Sequence, residues 1–454
     1  MRIILATLVF IFSQAILAEP LRFSLHKIES GNKGPTLLVI GGIQGDEPGG
    51  FTAASMLVTN YKVTSGNVWV VPNLNFESII KRSRGVHGDM NRKFKSLSRK
   101  DPEFAEVQKI KQIILNKNVD MVLNLHDGSG FYKKKYINSM HNPNRWGQSI
   151  IVDQDKIESP KFGALSEIAG NVQQYINSHL KNKSKYFYVK NTETKKGDVE
   201  MEKTLTYFSI KNNRPAFGVE ASKSFLTYER TYYHLLAVEG FMKELGINFK
   251  RNFKMTRSNV AKQIGNNLKV SLYDNRINLV VEKARRYLNY VPLKKHSLLE
   301  YKKNNPLIAV VGNDKSLKIR YGNRYVTSLK PQYFEYDYGL NTVDIEVDGK
   351  SKTVDVGGKI DVVKDFRVLA KNDYRVNVIG FSRRGVKNEN DILIKKEHIK
   401  TRFSIDRNER IFRVELYKGK KFSGMILVNF IKPEHRQSLS LKSSYSTGVV
   451  SSNL

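Results

Sequence analysis

The stretch Val39-Ile40-Gly41-Gly42-Ile43-Gln44-Gly45-Asp46-Glu47-Pro48-Gly49-Gly50 decides how the chain is to be read. The apolar run from Thr36 to Ile40 predicts a short buried strand. A glycine-rich turn then presents Gln44 and Glu47, three positions apart. In α/β sheets, polar groups at the carboxyl ends of strands are where active sites form. Gln44 and Glu47 are therefore read as two ligands of one metal ion. The rest of this half of the chain is read as the arrangement that completes the site.

Working outward, the chain has 454 residues, which predicts two or three domains, and 40% of them are hydrophobic, enough for real cores. It has no cysteine, so disulfides, thiolate zinc sites and cysteine nucleophiles are excluded together. A metal must be held by His, Asp, Glu or neutral oxygen donors. The formal net charge of +33 calls for a polyanionic partner. The N-terminus argues against nucleic acid as that partner. Met1-Arg2, an apolar run from Ile3 to Phe12, and Ala15-Ile16-Leu17-Ala18 make a secretory signal peptide cut after Ala18. No later apolar run has the length of a membrane span. The expectation is an exported protein of a bacterial periplasm, working against an acidic surface such as the cell-wall polymer or anionic lipid.

From Arg22 to Gly246, short apolar runs alternate with helical stretches. The pattern predicts strands at Thr36–Ile40, Asn67–Val71, Val119–Leu125 and Ala216–Val219. It predicts helices at Pro102–Leu115, Lys161–Leu180, Asp198–Lys211 and Tyr228–Leu245, the first capped by Asp101 with Pro102 at its first position. This is the grammar of an α/β sandwich around a mostly parallel or mixed sheet. After Gly246, apart from a helix expected near Arg276–Tyr290, short alternating strands dominate. They include Lys318–Tyr321, Tyr333–Tyr336, Val343–Val347, Phe366–Leu369, Arg375–Ile379, Ile411–Leu416 and Ser423–Phe430. Two small all-β modules are expected, divided near Gly357-Gly358, with a Ser-rich tail from Ser438. The expected division is a signal peptide 1–18, a catalytic domain 19–250, a middle domain 251–357 and a C-terminal β-sandwich 358–454.

His126 follows the run Val119–Leu125 and precedes Asp127-Gly128, a position equivalent to that of Gln44. A strand-end His after a first ligand pair closes a three-ligand zinc site and leaves the fourth position for water. In Arg82-Ser83-Arg84-Gly85-Val86-His87-Gly88-Asp89-Met90-Asn91-Arg92, an Asn beside an Arg is suited to grip a carboxylate. The upstream Arg84 is placed to stabilise an oxyanion. His87 is an alternative ligand. Glu220, after the run Ala216–Val219, has the burial expected to raise a carboxyl pKa and suits a general base. Taken singly, these are a loop histidine, a basic surface loop and a solvated acid. Taken together they are far more specific.

The order Gln44-x-x-Glu47, Arg84, Asp89-x-Asn91-Arg92-x-Phe94, His126, Glu220 resembles the funnelin-type zinc carboxypeptidases. Within them it is most similar to the peptidoglycan DL-carboxypeptidases that set cell shape in helical bacteria. The motifs span residues 20–245. The resemblance implies an α/β/α carboxypeptidase-like sandwich followed by a barrel-like and an Ig-like β module. It implies that Gln44, Glu47 and His126 bind one Zn²⁺, that Arg84 polarises the scissile carbonyl, with Arg82 close enough to be confused with it, and that Asn91 and Arg92 hold the free carboxylate. It also implies that Glu220 activates water and protonates the leaving amine, and that Trp146 and Thr206 line the side-chain pocket. The implied reaction splits the γ-D-Glu–meso-diaminopimelate bond of muropeptide tripeptide stems to leave dipeptides. The usual family pair is His-x-x-Glu. Gln44 departs from it, although a Gln there is what the shape-determining subgroup is expected to carry. An amide oxygen is a weaker zinc donor than imidazole.

Two other functions fit part of this pattern. Gly41 to Glu47 also echoes the Gly-Gly-x-His-Gly-Asn-Glu turn of N-acyl amino acid amidohydrolases of the aspartoacylase and succinylglutamate desuccinylase kind. Those are largely cytosolic, against which the signal peptide speaks. A non-catalytic murein-binding scaffold fits Gln44 and the β modules. Charge alone would fit a nucleic-acid binder, but no basic–aromatic motif accompanies it.

Overall fold

The protein was analysed as a computed structural model, which describes residues 21–371 and 373–433. The expected signal peptide and the tail from 438 lie outside the described residues. Among the described residues, no helix is long and apolar enough to cross a membrane.

The N-terminal half is built on a seven-stranded mixed sheet. Its spatial order is His26–Glu29, Asn67–Val71, Thr36–Gly41, Met121–Gly128, Ala216–Ser222, Ser149–Val152, Tyr188–Asn191. Thr36–Gly41 and Ala216–Ser222 flank Met121–Gly128 and both run parallel to it. All eight residues of Met121–Gly128 are buried, as expected of a strand with helices over both faces. Alternation along it sends His126 to one face and Asp127 to the other. On the Asp127 side lie the helices Pro48–Asn60 and Thr227–Glu244, the latter packed on Leu165–Ser178. On the His126 side lies the short helix Leu205–Lys211.

The expected strands are all present, and Met121–Gly128 and Ala216–Ser222 run far enough to carry His126 and Glu220 on the strands themselves. The helix expected from Asp198 divides into a turn of 3-10 helix at Met201–Lys203 and the helix Leu205–Lys211, capped by Thr204. The helix expected from Pro102 begins at Phe104, with Glu103 rather than Asp101 at its cap. The helix expected near Arg276–Tyr290 is not formed. That segment gives the strands Ile277–Val280 and Tyr287–Lys294, because its apolar residues pair with neighbouring strands instead of lining one helical face. Three helices are not expected from the sequence: the short Phe76–Lys81 and Arg257–Gln263, and the longer Pro48–Asn60. Gly49 through Leu57 are all buried in it, so no polar face marks a helical period.

The C-terminal half is all-β. A three-stranded and a four-stranded sheet, covering Lys269–Phe334, share a hydrophobic core with Phe51, Phe76 and Ile79 of the N-terminal half. Two further four-stranded sheets close over a separate core running from Leu340 to Phe430.

Gly50 lets the helix Pro48–Asn60 lie directly on the central strand, since a Cβ there would meet the Leu125 carbonyl oxygen at 2.5 Å. Gly50→Ala is therefore expected to destabilise the fold by about 1–3 kcal/mol through overpacking. Denaturant unfolding reads this directly, and parent-like stability would show that the helix does not rest on the strand this closely.

Candidate active site

The carboxyl ends of three adjacent parallel strands place the site. Gly41 pairs with Leu125, and His126 pairs with Glu220. The turn after Gly41 folds back over these ends. Gln44, Glu47 and His126 are all buried. His126 Nδ1 lies 3.2 Å from Gln44 Oε1 and 3.0 Å from Glu47 Oε2. A tetrahedral ion with bonds of about 2.1 Å has donors about 3.4 Å apart, so both of these separations suit donors that share one ion. The electrostatics agree. Burial works against charge on His126, yet Glu47, Glu220 and Asp89 together raise its pKa, so this spot favours a positive charge.

The Gln44 amide has one possible orientation. Its Nε2 donates to both oxygens of Asp89, each at 2.9 Å. A flipped amide would set its oxygen against two acceptors. Asp89 thus turns Gln44 Oε1 toward His126 Nδ1. Burial by itself would raise the Asp89 pKa, but the Gln44 hydrogen bond and the Arg84 charge bring it below the usual carboxylate value.

Glu220 stands opposite His126 at the cleft floor. Burial lifts its carboxyl to about 7, with Glu47 and Asp127 adding to the rise and His126 opposing it. A cation held by the neighbouring donors acts in the same direction as His126 and favours the ionised base.

The remaining residues named from sequence line the same cleft: Arg84, Asn91, Arg92, Trp146 and Thr206. Arg84 reaches Asp89 at 3.0 Å and Glu47 at 3.4 Å. Arg82 is turned away and donates to the Asn323 carbonyl. Asn91 gives its oxygen to the Leu205 N–H at 3.0 Å, which leaves its amide hydrogens for a ligand. Arg92 is paired only loosely, with the exposed Glu200 at 3.3 Å. The loop is pinned beside them by Lys93, buried between Asp101 and Glu103. Trp146 carries Lys190 over its ring at 3.9 Å. His87, the alternative ligand, lies instead against Glu77 at 3.5 Å, because the loop turns it away from the cleft.

Three contributors were not singled out from sequence. Asp89 was visible only as part of the Asn91-Arg92 motif. Asp127 is buried and accepts from the Gly49 N–H at 2.8 Å and from Arg230 at 2.7 Å, with His234 at 3.1 Å. Its own N–H donates to Glu47 Oε2 at 3.1 Å. Lys223 lines the cleft with nothing in the local sequence to mark it.

Residues 2–265 match a family described as a carboxypeptidase controlling helical cell shape, catalytic domain, and residues 336–431 match one described as the C-terminal domain of metallo-carboxypeptidase. Among solved structures, the apo form of the cell shape determinant protein Csd4 from Helicobacter pylori is similar at 39% identity. The match covers 90% of this chain and 100% of that one, with a TM-score of 0.83. The mDAP-bound form of Csd4, there called a D,L-carboxypeptidase, matches at 39% identity over 89% of this chain and 100% of its own, TM-score 0.83. A tripeptide-bound form matches at 39% over 90% and 100%, TM-score 0.83. No curated protein matches.

Asp89→Ala frees the Gln44 amide to rotate, and metal affinity is expected to fall roughly 10- to 100-fold, as for other outer-shell partners of metal ligands. Competition against a chelator measures it; unchanged affinity would remove Asp89 from the site. Burial raises the Asp127 pKa, but His234 and Arg230 bring it below the ordinary aspartate value. The stability it contributes is complete above that ordinary value and is lost as pH falls through the lower native one. Asp127→Asn is expected to cost about 3–5 kcal/mol at neutral pH, leaving Arg230 without its buried partner. It should also flatten the acid side of the stability curve in denaturant titrations.

Proposed function

The chain belongs to the family of carboxypeptidases that control helical cell shape, and we propose that it acts in the periplasm as a zinc-dependent DL-carboxypeptidase of peptidoglycan. Its substrate is a muropeptide tripeptide stem and its bond the one between γ-D-Glu and meso-diaminopimelate. What supports the reading most is the meeting of Gln44 Oε1, Glu47 Oε2 and His126 Nδ1 beside Glu220.

Gln44, Glu47 and His126 would hold one Zn²⁺ per chain. Zinc accepts a mixed nitrogen and oxygen donor set and, when bound, supplies the Lewis acidity that makes water a nucleophile near neutral pH and polarises a carbonyl. Glu220 takes the proton of the attacking water and passes it to the departing amine nitrogen, as its position beside His126 allows. Arg84, half-exposed at the mouth, turns its guanidinium to the oxygen that gains charge. Arg92 and the free amide hydrogens of Asn91 grip the terminal carboxylate, which restricts cleavage to the last residue. Trp146 and Thr206 bound the space for that residue's side chain. The basic surface draws the acidic cell-wall polymer toward the cleft, an effect that salt weakens. A scaffold without activity would have no use for a base set this way, and the carboxypeptidase family leaves the amidohydrolase reading without support.

The test is mass analysis of muropeptides incubated with the purified protein. Tripeptide stems are expected to become dipeptides, and a chelator to stop the conversion. Glu220→Gln is expected to retain the metal and lose turnover by at least roughly 100-fold, the scale of general acid–base catalysis. Full activity in that variant would exclude Glu220 as the base.

A further inference from the structure

Lys223 lines the cleft but has no part in the mechanism above. It follows the strand Ala216–Ser222, and its backbone N–H donates to the Gly128 carbonyl at 2.7 Å, which fixes it beside the central strand. Its Nζ lies 3.2 Å from Glu47 Oε1 and 3.4 Å from Asp46 Oδ2. The side chain is still 35% exposed, so a ligand reaches it.

The two groups of cations in the cleft lean on different walls. Asn91 and Arg92 rest on Glu200 and Leu205. Lys223 rests on Asp46 and Glu47, in the turn that also presents Gln44. A substrate whose terminal carboxylate sits at Asn91 and Arg92 fills the same cleft that Lys223 lines, three residues past Glu220. An ammonium has three donors, and acids take two of them here, which leaves one to give.

The acyl side of a γ-linked glutamyl bond differs from an ordinary peptide in one respect. It carries a free α-carboxylate, separated from the scissile carbonyl by Cγ, Cβ and Cα. Resting on the reading under Proposed function, we propose that Lys223 is a specificity-determining residue that receives this α-carboxylate and so selects γ-D-glutamyl bonds. Arg84 is committed to Asp89 and Glu47 and to the reacting oxygen, Arg92 to the terminus, and Lys190 lies over the Trp146 ring, which leaves Lys223 to meet the α-carboxylate.

The test compares two probes, the tripeptide stem and the same peptide with the D-glutamyl α-carboxylate amidated. Wild type is expected to prefer the acid over the amide in kcat/KM by roughly 10- to 100-fold, the scale of one charge-assisted hydrogen bond. Lys223→Gln is expected to bring that ratio close to one, and Lys223→Arg to keep most of it. A general loss from disturbing Glu47 would lower both rates and leave the ratio standing, which overturns the proposal. The same pair of peptides is titrated calorimetrically against Glu220→Gln and against Glu220→Gln with Lys223→Gln, and the preference in Kd is expected only in the former. Equal binding of both peptides to Glu220→Gln also overturns it. If wild type cleaves neither peptide, the functional reading fails, while the binding ratio still decides the role of Lys223.

Discussion

The carboxylate of Asp127 is the joint on which the catalytic half turns. It is buried on the face of the central strand opposite the cleft, and a buried charge is tolerated only when its partners are in place. Here they come from two elements. The Gly49 N–H brings in the start of the helix Pro48–Asn60, and Arg230 and His234 bring in Thr227–Glu244. The backbone N–H of the same residue reaches Glu47 Oε2, and the preceding residue is His126. One strand position thus sets the depth of the first helix, the reach of Glu47 and the line of approach of the histidine. Moving any of them would leave a charge or an N–H without a partner in a water-poor interior.

The second constraint comes from outside the sheet. The elements that follow the Gln44–Glu47 turn and the strand Asn67–Val71 bury Phe51, Phe76 and Ile79 in the core of the middle β module. Ser55 bonds Asn305 across this contact at 3.0 Å, in a buried position. Farther on, the buried Arg276 guanidinium joins the middle strands to the Tyr338, Leu340 and Ser423 carbonyls. The all-β half therefore backs the turn that presents Gln44 and Glu47, which is a physical reason for the catalytic half to be followed by β modules. It also explains why Phe51 and Phe76 are large and apolar although both lie close to the site in sequence.

The glutamine at position 44 has a structural counterpart in Asp89. An amide has two chemically different ends, and only the oxygen is of use to a metal. Asp89 fixes the choice by accepting from the nitrogen end. It also caps the turn that carries Asn91 and receives Arg84. Gln44, Asn91 and Arg84 are thereby referred to one carboxylate, so that their spacing is set together rather than by three independent loops.

Much of this was legible in the residues alone. The runs Thr36–Ile40 and Asn67–Val71 read as strands because burial on both faces leaves a continuous apolar stretch, and Gln44, Glu47, His126 and Glu220 were findable because each follows such a stretch. Arg84, Asn91 and Arg92 stood out by residue type and order. The helix Pro48–Asn60 was not legible, since a helix buried along most of its length has no polar face and two glycines open it. Nor were the strands that replace the helix expected near Arg276, where pairing with distant strands overrode the local pattern. Sequence by itself determined most of the local elements, the family and the polar side chains to look for at the strand ends, because these follow from short-range periodicity and from chemistry carried by single residues. Only the tertiary structure decided that Asp89 orients Gln44, that Asp127 joins three elements and that Lys223 reaches the cleft, because each depends on a contact between atoms whose residues lie far apart along the chain.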